Sequence, residues 1–167
     1  MRHSVLSLLV ENTSGVLSRV AGLFSRRGYN IDSLTVGETR DPRYSRMTVA
    51  VHGDDQIIDQ IQKQLMKLED VISIEELKDN ESVCRELVLV KLEADKQQKQ
   101  DIIAIADVFR AKIVDVGTDS LMIELTGNTN KINAFLALLD DYVIKQIVRT
   151  GLTGLIRGNF EKAADAE

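Results

Sequence analysis

The chain of 167 residues has one cysteine, one proline, no tryptophan and only 4% aromatic residues. A lone thiol, Cys84, cannot close an internal disulfide, so the chain is not a disulfide scaffold and a reducing, cytoplasmic setting is expected. With no histidine or second cysteine near it in the sequence, Cys84 is a passive thiol rather than a nucleophile. Two histidines, His3 and His52, stand far apart and leave no metal-ligand spacing of the Cys/His kind. No carboxylate or nucleophile is placed beside either by the sequence, so both are expected at the surface or a sheet edge and no metal site is assigned. There is no glycine-rich phosphate loop of the GxGxxG or P-loop type and no paired catalytic constellation, which argues against a nucleotide site and against an enzyme. The apolar run before Glu11 is too short for a signal-peptide core or a membrane span. A net charge of −5 and a pI near 5.1 argue against nucleic acid, because duplex binding rests on clustered Lys and Arg.

What is present is patterned. With 44% hydrophobic and 28% charged residues, the chain can bury one ordinary core or two small ones. Val5 to Val10 is a nearly continuous apolar run that predicts a buried strand. After Glu11-Asn12-Thr13-Ser14-Gly15, the residues Val16, Val20, Leu23 and Phe24 recur at helical spacing, with Arg26-Arg27 in the last turn and Gly28 closing it. Ile31 to Glu38, and Met47, Val49 and Val51 in alternation with polar neighbours, predict two strands joined by a loop that holds the only proline, Pro42. Asp54-Asp55 suits a helix cap better than a metal site, and Ile58, Ile61, Leu65 and Leu68 form the stripe of a second helix. Val71 to Leu77 adds a strand, and the polar stretch Lys78 to Ser82 reads as a linker.

The same order then recurs about 80 residues on. Leu87 to Leu92 is a strand, and Ile102, Ile105, Ala106 and Phe109 mark a helix. Ile113 to Val116 and Leu121 to Leu125 form a strand pair, Ile132, Phe135, Leu136 and Leu139 mark a helix ending near Asp140-Asp141, and Ile144 to Val148 is the last strand. Each half is βαββαβ, and two helices with one apolar stripe each must share one face of an antiparallel sheet. The expected fold class is α+β, two tandem ferredoxin-like domains over residues 1–78 and 83–158, with a tail at 159–167.

The junction Asn12-Thr13-Ser14-Gly15 carries the functional expectation. Glycine permits close backbone approach, and a helix start offers unpaired N–H groups at the positive end of the dipole, which together favour a small carboxylate. Asn12 both donates and accepts, which suits the zwitterionic head of an amino acid. An ordinary capped helix start reads the same from these four residues alone. The equivalent turn of the second half, Glu93-Ala94-Asp95-Lys96-Gln97, lacks glycine, which points to a ligand in the first domain only; a longer second turn would also explain the difference.

Leu8 to Val20, Leu23 to Val36 and Ser45-Arg46-Met47-Thr48 closely resemble the small subunits of acetolactate synthase (acetohydroxyacid synthase). The resemblance continues through Arg85-Glu86-Leu87, Phe109-Arg110-Ala111, Val114-Asp115-Val116, Arg149-Thr150-Gly151 and Arg157-Gly158, and so covers nearly the whole chain. It implies an N-terminal ACT domain followed by an ACT-like domain, and a regulatory, non-catalytic subunit in branched-chain amino-acid biosynthesis. It further implies that valine binds across a homodimer of ACT domains for feedback inhibition. Asn12, Gly15, Val16 and Leu17 would come from the strand-to-helix loop of one subunit, and Asn30 and Ile31 from the start of the second strand of the other. The implied partner is the large catalytic subunit, which would carry thiamine diphosphate, Mg²⁺ and FAD, with no cofactor on this chain. Arg40, Arg43 and Arg46 around the first hairpin are candidates for contact with that partner, although exposed loop arginines also serve solubility alone. The alternative is a free-standing ACT sensor that regulates a different protein; a small enzyme on the same fold is the remaining class.

Overall fold

The apolar run near the N-terminus forms β1 (Arg2–Glu11), and alternation of side chains along a strand divides it between two faces. Leu6, Leu8 and Val10 are 1% exposed or less and point toward helices, while Val5 lies on the opposite face. The computed structural model describes residues 1–160. In order, β1 is followed by α1 (Val16–Arg27), β2 (Ser33–Glu38), β3 (Tyr44–Gly53), α2 (Asp55–Leu65) and β4 (Val71–Glu76). Then come β5 (Ser82–Glu93), α3 (Lys96–Phe109), β6 (Lys112–Val116), β7 (Ser120–Gly127), α4 (Thr129–Leu138), β8 (Val143–Arg149) and β9 (Thr153–Ile156), before a 3₁₀ turn at Gly158–Phe160.

The first sheet has the order β2-β3-β1-β4 and the second β6-β7-β5-β8, with antiparallel pairing throughout. Both are ferredoxin-like, as the doubled βαββαβ pattern predicts. In the first unit, Val16, Val20, Leu23 and Phe24 of α1 and Ile58, Ile61 and Leu65 of α2 close over Leu6, Leu8, Met47 and Val49. In the second, Ile102 and Ala106 of α3 with Ile132 and Phe135 of α4 close over Val88, Val90, Leu121 and Ile123. Fully burying an aliphatic or Phe side chain contributes about 1.5–3 kcal/mol, so these two stripes are the main source of stability in each unit. Outside the cores, Arg2 joins the start of β1 to Glu76 on β4 and also reaches Asp55. Hydrogen bonds from Arg2, and secondarily from the Ser4 hydroxyl, hold the Glu76 carboxyl below its ordinary range against the opposing effect of burial.

Three details depart from the sequence pattern. β5 starts at Ser82 and not at Leu87, because Ser82 and Glu86 are polar yet buried, which hides the alternation. β2 starts at Ser33, two residues after Ile31, although Asp32 N–H still donates to Ala50 C=O at 2.9 Å. The chain separates into residues Met1–Cys84 together with the segment from Gly151, and residues Arg85–Thr150. Residues 151–158, placed in the second domain by sequence order, make their contacts with the first unit. Gly151 turns the chain at φ +81°, Leu152 packs with Val5, Ala50 and Leu77 on the face of the first sheet away from its helices, and Gly154 N–H donates to the Thr48 hydroxyl at 3.4 Å. A side chain at Gly154 would come within 2.6 Å of Cys84 Sγ and 3.1 Å of the Val83 carbonyl, where β9 pairs with β5. Of the expected tail, 161–167 lies outside the described residues.

Candidate ligand site at the first strand-to-helix turn

The turn between β1 and α1 is held from below by the backbone. Glu11 N–H donates to Asp70 C=O at 2.9 Å and Asn12 N–H to Arg43 C=O at 2.7 Å. The Asn12 side chain donates to Pro42 C=O at 2.9 Å and to Glu38 Oε2 at 3.3 Å, so its amide nitrogen faces the end of the β2–β3 hairpin. Gly15 is the N-cap at φ +86°, ψ −4°, a left-handed conformation that side chains with a Cβ resist. No side chain caps this helix and no acidic residue lies in its first turn. Val16 is buried against the core while Leu17 is half exposed. Val16 N–H donates to Thr13 C=O at 3.5 Å, and the helix start otherwise has no side-chain cap, a setting in which a small carboxylate is favoured beside an apolar neighbour.

The other three helices are finished differently. Asp54 accepts from Ile57 N–H at 2.8 Å, and Asn128 accepts from Lys131 N–H at 2.9 Å. Asp95 accepts from Gln98 N–H at 2.8 Å, and Gln98 returns a bond from the Asp95 N–H, which closes a capping box. Ala94 N–H donates to Asp119 C=O as Asn12 N–H does to Arg43 C=O, so the two turns begin alike. From there the first takes four residues, Asn12 to Gly15, to reach its helix, and the second takes two, Ala94 and Asp95. The second turn is the shorter one, so greater length does not explain its lack of glycine. Its helix end is occupied by the chain's own carboxylate.

Asn30 and Ile31 lie beyond the other end of α1. Asn30 is exposed and donates to Asp32 Oδ1 at 3.0 Å, and Ile31 packs at the margin of the first core. Glu11 pairs with Tyr44 and Ser33 with Ala50, so the Asn12 turn and the Asn30–Ile31 segment sit toward opposite ends of the sheet. Twelve helical residues at about 1.5 Å each separate them by about 18 Å. One chain brings Asn12, Gly15, Val16 and Leu17 together and does not bring Asn30 and Ile31 to them.

Other surface groups are settled by their partners. Arg43 is bound to Asp41 at 2.6 Å but stays largely exposed, whereas Arg46 donates to the Ser7 hydroxyl at 3.0 Å. Both histidines are exposed, as expected, but they are not isolated from each other or from a carboxylate. The β1–β3 register sets His3 opposite His52, with ring centroids 4.8 Å apart, and His52 Nδ1 pairs with Asp32 Oδ2. A carboxylate thus stands beside a histidine pair that sequence separation had kept apart.

Comparison with known proteins agrees with the two-unit architecture. Residues 6–73 match the family described as an AHAS small subunit-like ACT domain, and residues 85–158 match the family described as the small subunit of acetolactate synthase. The acetolactate synthase isozyme 3 small subunit of Salmonella typhimurium is 46% identical over 156 residues, covering 93% of this chain and 96% of that protein. The acetolactate synthase small subunit of Haemophilus influenzae is 48% identical over 155 residues, covering 92% and 95%. The crystal structure of the small subunit from Thermotoga maritima superposes with a TM-score of 0.87 at 41% identity, covering 94% of this chain and 98% of that one. No described helix is long and apolar enough to cross a membrane.

Proposed function

The chain belongs to the family of acetolactate synthase small subunits, and from that premise we propose that it is the regulatory, non-catalytic subunit that tunes a separate acetolactate synthase catalytic subunit in the cytoplasm. Its ligand is a branched-chain amino acid, with valine the first candidate, and the carboxylate docks on the start of α1. The observation that carries this reading is the open helix end at Gly15, beside three helices that each have a side-chain cap. Leu17 and its neighbours offer the aliphatic contact.

The separation of Asn12–Leu17 from Asn30–Ile31 supports a site shared between two copies. β2 is an edge strand with half its residues exposed, and an edge is covered most simply by the same edge of a twin. A twofold axis beside β2 runs the two strands antiparallel, which carries the Asn30–Ile31 end of one copy to the Asn12–Leu17 end of the other. Ligand and dimer geometry are then linked, and a coupling of about 1–3 kcal/mol changes the affinity for the partner about 5- to 150-fold. Thiamine diphosphate, Mg²⁺ and FAD belong to the catalytic subunit in this reading, and this chain does no chemistry.

Calorimetric titration of the intact chain with valine, leucine and isoleucine tests it, together with the oligomeric state by sedimentation. One ligand per chain on a dimer is the expected result. Absence of binding by all three, or binding with unchanged affinity after Gly15→Leu, removes this turn from the site.

A further inference from the structure

We propose that His3, His52 and Asp32 form a binding site for a divalent transition metal ion such as Zn²⁺ or Co²⁺ on the face of the first sheet away from its helices. His3 and His52 occupy facing positions on β1 and β3, and Asp32 lies at the entry to β2, so three strands each supply one ligand. One ligand atom from each residue lies within 4.8 Å of the other two. Tetrahedral coordination with bonds of about 2.0–2.1 Å needs ligand atoms about 3.4 Å apart, so His52 and Asp32, now in direct contact, part to admit the ion. All three residues are exposed, so an ion reaches them without opening the fold, and water completes the coordination.

The donor set selects the ion. Two imidazoles and a carboxylate suit Zn²⁺, Co²⁺ or Fe²⁺ and disfavour Mg²⁺ and Ca²⁺, which take oxygen ligands. Asp32 is oriented from behind: its Oδ1 accepts from Asn30 while Oδ2 faces His52, the arrangement by which an outer hydrogen bond aims a metal-bound carboxylate. The backbone is fixed as well, since Asp32 N–H donates to Ala50 C=O at 2.9 Å. An ion here clips β1, β3 and the start of β2 together.

The test uses the intact chain. Because His3 and His52 are the only histidines, their ring C–H signals are the only imidazole resonances in a proton NMR spectrum. Zn²⁺ should shift both sets together and saturate at one equivalent, and a tenfold excess of Mg²⁺ should not reverse it. Co²⁺ titration followed by visible ligand-field absorption should give the same stoichiometry, with affinity at least tenfold lower in His52→Gln and in Asp32→Asn. All three residues are exposed, and melting curves with chelator present check that each variant folds. Movement of only one histidine, or unchanged Co²⁺ affinity in both variants, overturns the site.

Discussion

Gly15 and Gly28 bracket the same helix and both hold positive φ, at +86° and +69°, which allows structural cost to be separated from loss of a ligand seat. Alanine at either position must adopt a left-handed backbone, at roughly 1–2 kcal/mol. At Gly28 nothing lies within 4 Å of the new Cβ, so strain is the whole cost. At Gly15 the Cβ would come within 2.8 Å of Arg19 Nη1, the flexible end of a side chain that also pairs with Asp70. Arg19 can swing away, and an ion pair in contact with water contributes little to stability. Gly15→Ala should therefore destabilise by about 1–3 kcal/mol and Gly28→Ala by about 1–2, a loss of roughly 2–10 °C in Tm for a chain of this size. Their effects on regulation should diverge. In a reconstituted holoenzyme, Gly15→Ala should raise the valine concentration for half-inhibition at least tenfold, equivalent to about 1.4 kcal/mol, while Gly28→Ala stays within about twofold. If both variants lose the response equally, the effect is one of helix stability and the open turn is not the seat; if neither does, the ligand binds elsewhere.

Asn12→Ala should weaken valine inhibition yet leave activation of the catalytic subunit intact, and should cost about 1 kcal/mol or less in stability because its bonds to Pro42 and Glu38 are exposed; dose-response curves and urea melts read the two separately. Arg149→Met should cost roughly 2–3 kcal/mol in the same melts, since it strands the buried Glu86 carboxylate that Arg149 holds through bonds of 2.7 and 2.9 Å. The paired change Glu86→Leu with Arg149→Leu should recover most of that loss. Because Arg2 holds the Glu76 carboxyl below its ordinary range, this pair stabilises the fold above the ordinary carboxylate pKa near 4.5, and its contribution disappears as acid protonates Glu76 in the folded chain. Arg2→Met should flatten the acid limb of a stability-pH curve; an unchanged limb would show that other carboxylates set it.

Hydrophobic period accounts for how much of the fold was legible in the chain itself. Val16, Val20, Leu23 and Phe24, and Ile58, Ile61 and Leu65, announce helices because each makes one stripe against one sheet. β9 has no such signature: four residues containing a glycine gain their place from Val5, Ala50 and Leu77, which are distant in sequence. For the same reason the contacts that residues 151–158 make with the first unit could not be read from the chain, although the family match to the second half extends to residue 158. The Asn12–Gly15 turn was legible because glycine at a helix start is a local signal. The His3–His52 pair was not, because it arises from strand register, and no local spacing encodes a partner across a sheet.

The two units show how one fold supports two outcomes at a single helix end. Both begin the connection with the same backbone bond, from Asn12 in one and Ala94 in the other, and both shift register on the preceding strand, at Leu9–Val10 and at Lys91–Leu92. In the second, the turn is shortened so that Asp95 falls at the cap position, and its carboxylate occupies the place where an external anion would otherwise meet the helix dipole. Lys99 ties the facing loop down by donating to the Gly117 and Thr118 carbonyls at 2.5 and 2.8 Å. In the first, two extra residues and Gly15 keep carboxylates out of the first turn. Asp95→Gly should thus cost only about a few tenths of a kcal/mol of stability, since glycine is itself tolerated at a cap, without creating a binding site, because the shorter turn leaves Ala94 fully buried where Asn12 is exposed. Ligand binding by that variant's second unit would show that an empty helix end suffices and that the length of the first turn is incidental.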